Sequence, residues 1–367
     1  MGEPVYLHFK ATNISTTSVN ILAADPYSFC AGYQVKVSDG SPTPVNPNDG
    51  CSQRPAAGSC ASSSSLLGPS ETKTEDILLN GRHGLEKPGT YEISATRELP
   101  YGTAEEVLRF SGPKFKITSH LKIEIKSSDE ATLRRVLQPY VDNLTSEDDY
   151  YNSEAHRAIR SVAPLFLEER ILGMLNSESS REFAVSTLGK MNTPSSREAL
   201  ADVASKNGEL QEEAVRYLGK MGDSTYFPLL LDIVSRSEPS SNLKQTAIRA
   251  AAQLGHDQCA PFLLTLLSSS DRWDRINAVQ GMYESGSRQV VPQLFELLRD
   301  KDDFIARMAA GVLVTLTHRT AVSSGPYEKN PLAQYQLCLQ WWSSHAGTAP
   351  IFGPNDCGEI ESLEQTR

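Results

Sequence analysis

Two periods divide the hydrophobic pattern of this chain. From Ala184 to Leu298 the apolar residues fall three and four positions apart in short bursts, and the bursts recur about every 31 residues. Four of them align without gaps on a small residue: AVSTLGKM at Ala184, AVRYLGKMGD at Ala214, AIRAAAQLGHD at Ala247 and AVQGMYESGS at Ala278. The steps between these alanines are 30, 33 and 31, and Ala309 in AAGVLVTLT follows another 31 on. Sixteen residues after the first four alanines stand Leu200, Leu230, Leu263 and Leu294, with a further apolar pair three and four positions beyond each. That spacing is one face of a helix, so each copy predicts a pair of short amphipathic helices. Pro228, Pro261 and Pro292 lie two residues before three of the leucines, where a first helical turn tolerates a missing N–H. Gly222, Gly255 and Gly286 are expected to end the first helices as left-handed caps.

Before residue 126 the period changes to two. Val5, Leu7, Phe9 and Ala11 alternate with polar residues, as do Val35 and Val37, Ile77 and Leu79, Tyr91, Ile93 and Ala95, and Leu121, Ile123 and Ile125. Short strands separated by Gly, Pro, Asn and Ser turns predict an antiparallel β-sandwich. The stretch from about Asp39 to Ser70, with NPNDG, RPAAGSC and ASSSSLLGPS, reads as a long exposed excursion, too rich in turn formers for a strand. One helix is expected around Leu133–Leu144, followed by the acidic turn SEDDYY, and a last helix in PLAQYQLCLQWWSSH. That last helix is expected to cover the end of the helical array with Leu337 and one of Trp341 and Trp342, since a bare end would leave apolar surface in water. The expected division is 1–126 for the sandwich, 127–152 for a helical linker, 153–320 for the repeats and 321–367 for a capping helix and irregular tail.

Period, alanine, glycine and leucine positions together resemble the HEAT-repeat family, of the short bacterial kind akin to phycobilin lyases, over roughly residues 150–320. SEAHRAIRSVAPLFLEERILGML ahead of the run keeps the helical period but is shortened, as capping repeats often are. LEKPGTYEI, with Pro88, Gly89 and a corner tyrosine at Tyr91, together with GEPVYLHFKATNIS, resembles bacterial extracytoplasmic Ig-like domains and, more loosely, the sandwich of the intracellular proteinase inhibitor family. The resemblances imply an Ig-like antiparallel β-sandwich followed by an α–α superhelix, a HEAT-repeat solenoid.

Composition narrows the partners. The 367 residues carry 35 Lys and Arg against 45 Asp and Glu, a net charge of −10 with no basic block, which argues against a nucleic-acid backbone. No window holds eighteen consecutive apolar residues, so no membrane-spanning helix is predicted. MGEPVYLHF lacks the charged and apolar regions of an export signal. Cysteine placement points the other way. Cys51 with Cys60, and Cys338 with Cys357, bracket loop-rich segments as disulfides would, which favours a periplasmic or extracellular protein whose signal is missing from this sequence, with the cytoplasm as alternative. Cys30 competes for Cys51 or Cys60, and Cys259 reads as a buried thiol.

No catalytic motif stands out. The seven histidines form no HExxH, and neither GxSxG nor GxxxxGK[ST] occurs. His256, Asp257 and Cys259 in HDQC are read as structural rather than as metal ligands, and no cofactor is expected. The repeat register gives a sharper expectation. If the second-helix core falls at offsets sixteen, nineteen and twenty from the alanine, offset eighteen points away from it, onto what is normally a solenoid's concave face. Those positions are Asp202, Asp232, Thr265 and Glu296, with Arg299 beside the last, a largely acidic stripe that could receive a basic partner. Trp273 and Phe304, at matching positions, are expected to pack between neighbouring repeats, and Arg181 and Arg275 to bridge to aspartates of adjacent repeats. The reading is a non-catalytic, exported scaffold that binds a partner protein through the concave face, a monomer by default. The alternatives are a bilin-lyase-like HEAT enzyme and a protease inhibitor acting through the loop at 51–60.

Overall fold

The structure, a computed structural model, describes residues 4–24, 33–39, 62–80, 85, 87–109, 111–320, 339–353 and 361–362. By their contacts the residues form two compact units, Met1–Pro164 and Leu165–Arg367. The hydrophobic period changes earlier, near Ser127, so two helices that follow the strands belong to the first unit.

In the first unit the alternating segments form strands: β1 (Tyr6–Thr12), β3 (Tyr33–Ser38), β5 (Thr72–Leu78), β6 (Gly89–Gly102) and β7 (Lys114–Ile125). β1 pairs antiparallel with β5, from Tyr6 opposite Leu78 to Thr12 opposite Thr72. β6 is the long strand of a second, five-stranded antiparallel sheet, with β7 paired along nearly its whole length and β3 on its other side. Two strands depart from the expectation. β2 (Val19–Ala24) and β4 (Ser62–Leu67) pair with each other in full register, so the serine run inside the expected excursion is a strand. Backbone pairing with β2 overrides the poor strand propensity of the serine run, because β propensity records side-chain packing more than backbone preference. A short helix, α1 (Ala104–Leu108), follows β6, started by a capping box of Thr103 and Glu106.

The two β layers enclose one core of Val37, Ile77, Leu79, Leu85, Tyr91 and Ile93. The Tyr91 hydroxyl donates to the Lys87 carbonyl at 2.9 Å, four residues upstream, as a corner tyrosine does. A second core of Ile21, Leu22, Leu67, Leu99 and Val107 lies under β2 and β4. α2 (Glu130–Asp142), with Asp129 as its N-cap, and α3 (Asp149–Val162) complete the unit. His156 on α3 hydrogen-bonds the Leu144 carbonyl at 3.0 Å, and burial pushes its pKa below the ordinary histidine value.

The second unit is the helical repeat. After α4 (Glu168–Met174), first helices alternate with second helices: α5 (Arg181–Met191) and α6 (Pro194–Ser205), α7 (Gln211–Met221) and α8 (Phe227–Arg236), α9 (Asn242–Gly255) and α10 (Ala260–Leu267), α11 (Arg272–Ser285) and α12 (Val291–Leu297), then α13 (Asp303–Thr317). All five repeat alanines and all four leucines have no exposed surface. Each buried leucine contributes roughly 1.5–3 kcal/mol of apolar burial, so the array is held by repetition of one modest contact. The helices approach closely where small residues allow it. A Cβ on Gly219 of α7 would lie 2.6 Å from the Ala250 Cα of α9.

Pro228, Pro261 and Pro292 stand in the first turns of α8, α10 and α12, and Gly222 and Gly286 are left-handed caps at φ 73° and 55°. Gly255 is not: it stays helical at φ −86°, and the positive φ falls one residue later, on His256. α13 ends likewise at His318. Gly255 is small for another reason, since a Cβ there would meet the Phe227 ring at 2.6 Å.

Residues 339–345 are helical, and Trp342 is buried with its ring 6.4 Å from that of Phe295. The segment beyond is tied to the last hairpin. The Arg288 guanidinium donates to the carbonyls of Ala346 and Ala349, the Phe352 amide donates to the Leu316 carbonyl at 3.0 Å, and the Phe352 ring stacks on His318. Short strands β8 (Arg319–Thr320) and β9 (Glu361–Ser362) pair in parallel. Leu337 and the cysteines 30, 51, 60, 338 and 357 lie outside the described residues.

Candidate functional site

Asp202, Asp232, Thr265, Glu296 and Arg299 are all exposed, on α6, α8, α10, α12 and the turn after α12. The helical register places them there because the apolar residues at offsets sixteen and twenty fix the opposite side inward. Their charge differs from the expectation. Asp202 pairs with Lys206 one turn on, and Asp232 with Arg236 at 3.5 Å. The face is therefore a band of both signs rather than an acidic stripe. Arg236 also donates to the Ser205 carbonyl at 3.2 Å, linking α8 to α6. Ser205 and Ser235 turn their hydroxyls back onto the carbonyls of Asp202 and Asp232, as serine does near a helix end.

Charged groups also join successive hairpins. Arg197 on α6 pairs with Asp223 at 3.0 Å, Lys244 on α9 with Asp274 on α11 at 2.8 Å, and Arg272 on α11 with Asp302, the N-cap of α13, at 2.5 Å. The hydrogen bond from Arg272 holds the Asp302 carboxyl below its usual range, and the same bond raises Arg272. Glu284 on α11 is 5 % exposed and accepts from Arg249 at 2.7 and 2.9 Å and from Gln253 at 2.8 Å, both on α9. Sequence reasoning passed over this cluster because a lone glutamate in a helix reads as surface. Its signal was Arg249 and Gln253 one helical turn apart on the preceding first helix.

Arg181 and Arg275 do not reach aspartates. Each donates to a carbonyl six residues back, at the end of the preceding helix: Arg181 to Leu175 at 2.8 Å and Arg275 to Ser269 at 3.0 Å. A cation there meets the unpaired carbonyls and the negative end of the helix dipole, which an aspartate farther away cannot outbid. Gln211, at the same offset before Ala214, makes the equivalent bond to the Ala204 carbonyl at 2.8 Å.

Trp273 and Phe304 do not pack between repeats; they are 51 % and 45 % exposed. Five residues before the buried alanine places each roughly 140° around the helix from it, which is off the core face. The Arg272 guanidinium covers part of the Phe304 ring, 5.5 Å from its centre.

The HDQC side chains serve local structure. His256 Nδ1 lies 3.0 Å from the Ser285 carbonyl, Asp257 accepts from the Ser287 hydroxyl at 2.5 Å, and Cys259 is fully buried, its thiol pushed up to about 12 by burial. Among the described residues no three His, Cys, Asp or Glu side chains converge as metal ligands would, and no helix is long and apolar enough to cross a membrane.

Paired helices at a near-constant step, with buried alanines and leucines at fixed offsets, form a helical repeat array. The family model for HEAT repeats matches residues 228–314. Among solved structures the chain is similar to the complex of CpcE and CpcF of phycocyanin lyase from Nostoc sp. PCC7120, at 18% identity over 52% of this chain and 79% of that one, with a TM-score of 0.36. It is also similar to two engineered proteins, at 19% identity over 49% of this chain and 58% of the other (TM-score 0.31), and at 18% over 55% and 95% (TM-score 0.24). At these values the likenesses carry no argument about activity. No curated protein sequence matches the chain. HEAT repeats typically mediate protein interactions and suggest a protein-interaction scaffold.

Proposed function

We propose that the repeat unit is a non-catalytic scaffold that holds a partner protein on the exposed band of its second helices. The observation that carries this reading is the constant register of Asp202, Asp232, Thr265 and Glu296: one exposed polar position per repeat, on hairpins locked by ion pairs, gives an extended surface with little conformational entropy to lose on binding. The mixed charge of the band favours a partner whose own surface alternates in sign, and makes the match one of pattern rather than of bulk attraction. A tetrapyrrole, as a lyase would hold, needs an apolar, aromatic-lined groove, and these positions are polar. The corner bond of Tyr91 supports reading the first unit as an Ig-like sandwich, which in turn favours export. The loop at 51–60 that an inhibitor would use lies outside the described residues.

The test is capture from extract of the native organism with the intact protein and with a triple charge reversal, Asp202→Lys, Asp232→Lys and Glu296→Lys. A protein retained by the first and released by the second is the expected result. Equal retention by both would place recognition elsewhere.

A further inference from the structure

Among the described residues β7 is an edge strand, with two unlike faces. Lys114, Lys116, Thr118, His120, Lys122 and Glu124 alternate along one side, and Phe115, Ile117, Ser119, Leu121, Ile123 and Ile125 along the other. At the end of the strand Ile123 and Ile125 pack on the core between the β layers. Toward its start the same apolar side is bare: Phe115, Ile117 and Leu121 are 64 %, 54 % and 43 % exposed. β7 pairs with β6 and, among the described residues, with no other strand; β1 likewise pairs with β5 alone. Between the two unpaired edges opens a cleft of about 550 Å³ whose walls include Phe9 and Ala11 of β1, Leu99 and Tyr101 of β6, and Phe115 and Ile117 of β7.

An open strand edge beside an unfilled apolar cleft is the arrangement that accepts one more strand. We propose that an extended segment of a partner protein, alternating apolar and acidic residues, adds along the free edge of β7. Its apolar side chains seat in the cleft beside Phe115 and Ile117. Its acidic side chains fall on the other side, next to Lys114 and to Lys116 and Lys122, whose pairs with Glu98 at 3.0 Å and Glu92 at 4.0 Å on β6 are exposed, weak and open to sharing with a partner's carboxylates. The same lysines argue against a second copy of this chain as occupant, because β7 against β7 sets lysines of the two copies side by side. A carboxylate head group buried at the cleft's floor is disfavoured as well. Arg97, 2 % exposed and part of the lining, is already neutralised by Glu75 at 3.3 Å, so a second acid would enter uncompensated.

The proposal is independent of the solenoid reading. Its probe is a fluorescein-labelled nine-residue peptide alternating valine and glutamate, titrated into the full chain by fluorescence anisotropy. Saturable binding is expected, weakened at least tenfold by Ile117→Lys, by the pair Lys116→Glu and Lys122→Glu, and by N-methylation of alternate peptide amides on the edge-facing side. Circular dichroism keeps the comparison to variants that fold. A peptide of the same composition in block order binding equally well, or binding indifferent to N-methylation, overturns strand addition. Displacement of the peptide by dodecanoate, with N-methylation without effect, assigns the cleft to an amphiphile instead and also overturns it.

Discussion

In the repeat unit, Asp274 and Glu284 are nearly buried, and each meets a cation of the preceding first helix, Lys244 or Arg249. In the β unit, buried charge is gathered in one cluster: Arg97 pairs with Glu75, Glu75 also accepts from the Tyr33 hydroxyl, and the guanidinium lies 4.4 Å from the centre of the Tyr33 ring. Burial, ahead of the bond to Glu75, raises the Tyr33 pKa. The repeat unit spreads its polar contacts over many hairpins, each answerable to its neighbours alone, whereas the β unit concentrates them between two sheets. Loss of one contact should therefore be local in the first and general in the second.

The largest test of that contrast sets Arg97→Ala against Glu284→Ala. Removing Arg97 leaves the Glu75 carboxylate, 7 % exposed, to the Tyr33 hydroxyl and to Lys73 at 3.8 Å, and should cost the β unit about 3 kcal/mol. Removing Glu284 frees an Arg249 side chain that is 45 % exposed and can return to water, for a cost of about 1–2 kcal/mol. Denaturant unfolding followed by calorimetry reads both; equal losses would break the comparison. Next comes Gly286→Ala, which forces a methyl group onto a backbone at φ 55° and should cost about 1–2 kcal/mol. A smaller penalty, measured the same way, would mean the turn relaxes.

The smallest effect is a pH dependence. Asp302 has its folded pKa lowered by Arg272, so between the folded and unfolded values the unfolded chain binds more protons. The pair's contribution is complete above the ordinary aspartate value and is lost as pH falls through the lower, folded one. Arg272→Ala should flatten the thermal stability profile in that acid window, and added salt should weaken the effect in the unaltered protein. An unchanged profile would show the pair to be inert.

The contrast also explains what was legible in the sequence. Ala184, Ala214, Ala247, Ala278 and Ala309 recur because each hairpin faces the same packing problem, so one motif could be checked against four others. Ser62–Leu67 has no such cross-check: its strand exists through pairing with β2, a partner far away in sequence. The outward position of Asp202 and Asp232 followed from helical geometry, but their charge did not, because Lys206 and Arg236 lie outside the repeated offsets considered. Trp273 and Phe304 were misplaced by residue type, since large aromatics suggest burial even where the helix turns them outward. Likewise Gly255 matched its counterparts in position while His256 took the turn.

Arg288 reaches across to grip two carbonyls of the chain beyond residue 345, with Trp342 lying under the same guanidinium. The rings of Trp342 and Phe352 lie against Phe295 and His318, so the last hairpin is shielded by aromatic side chains of the chain that follows it and owes part of its solubility to a segment outside the repeated pattern.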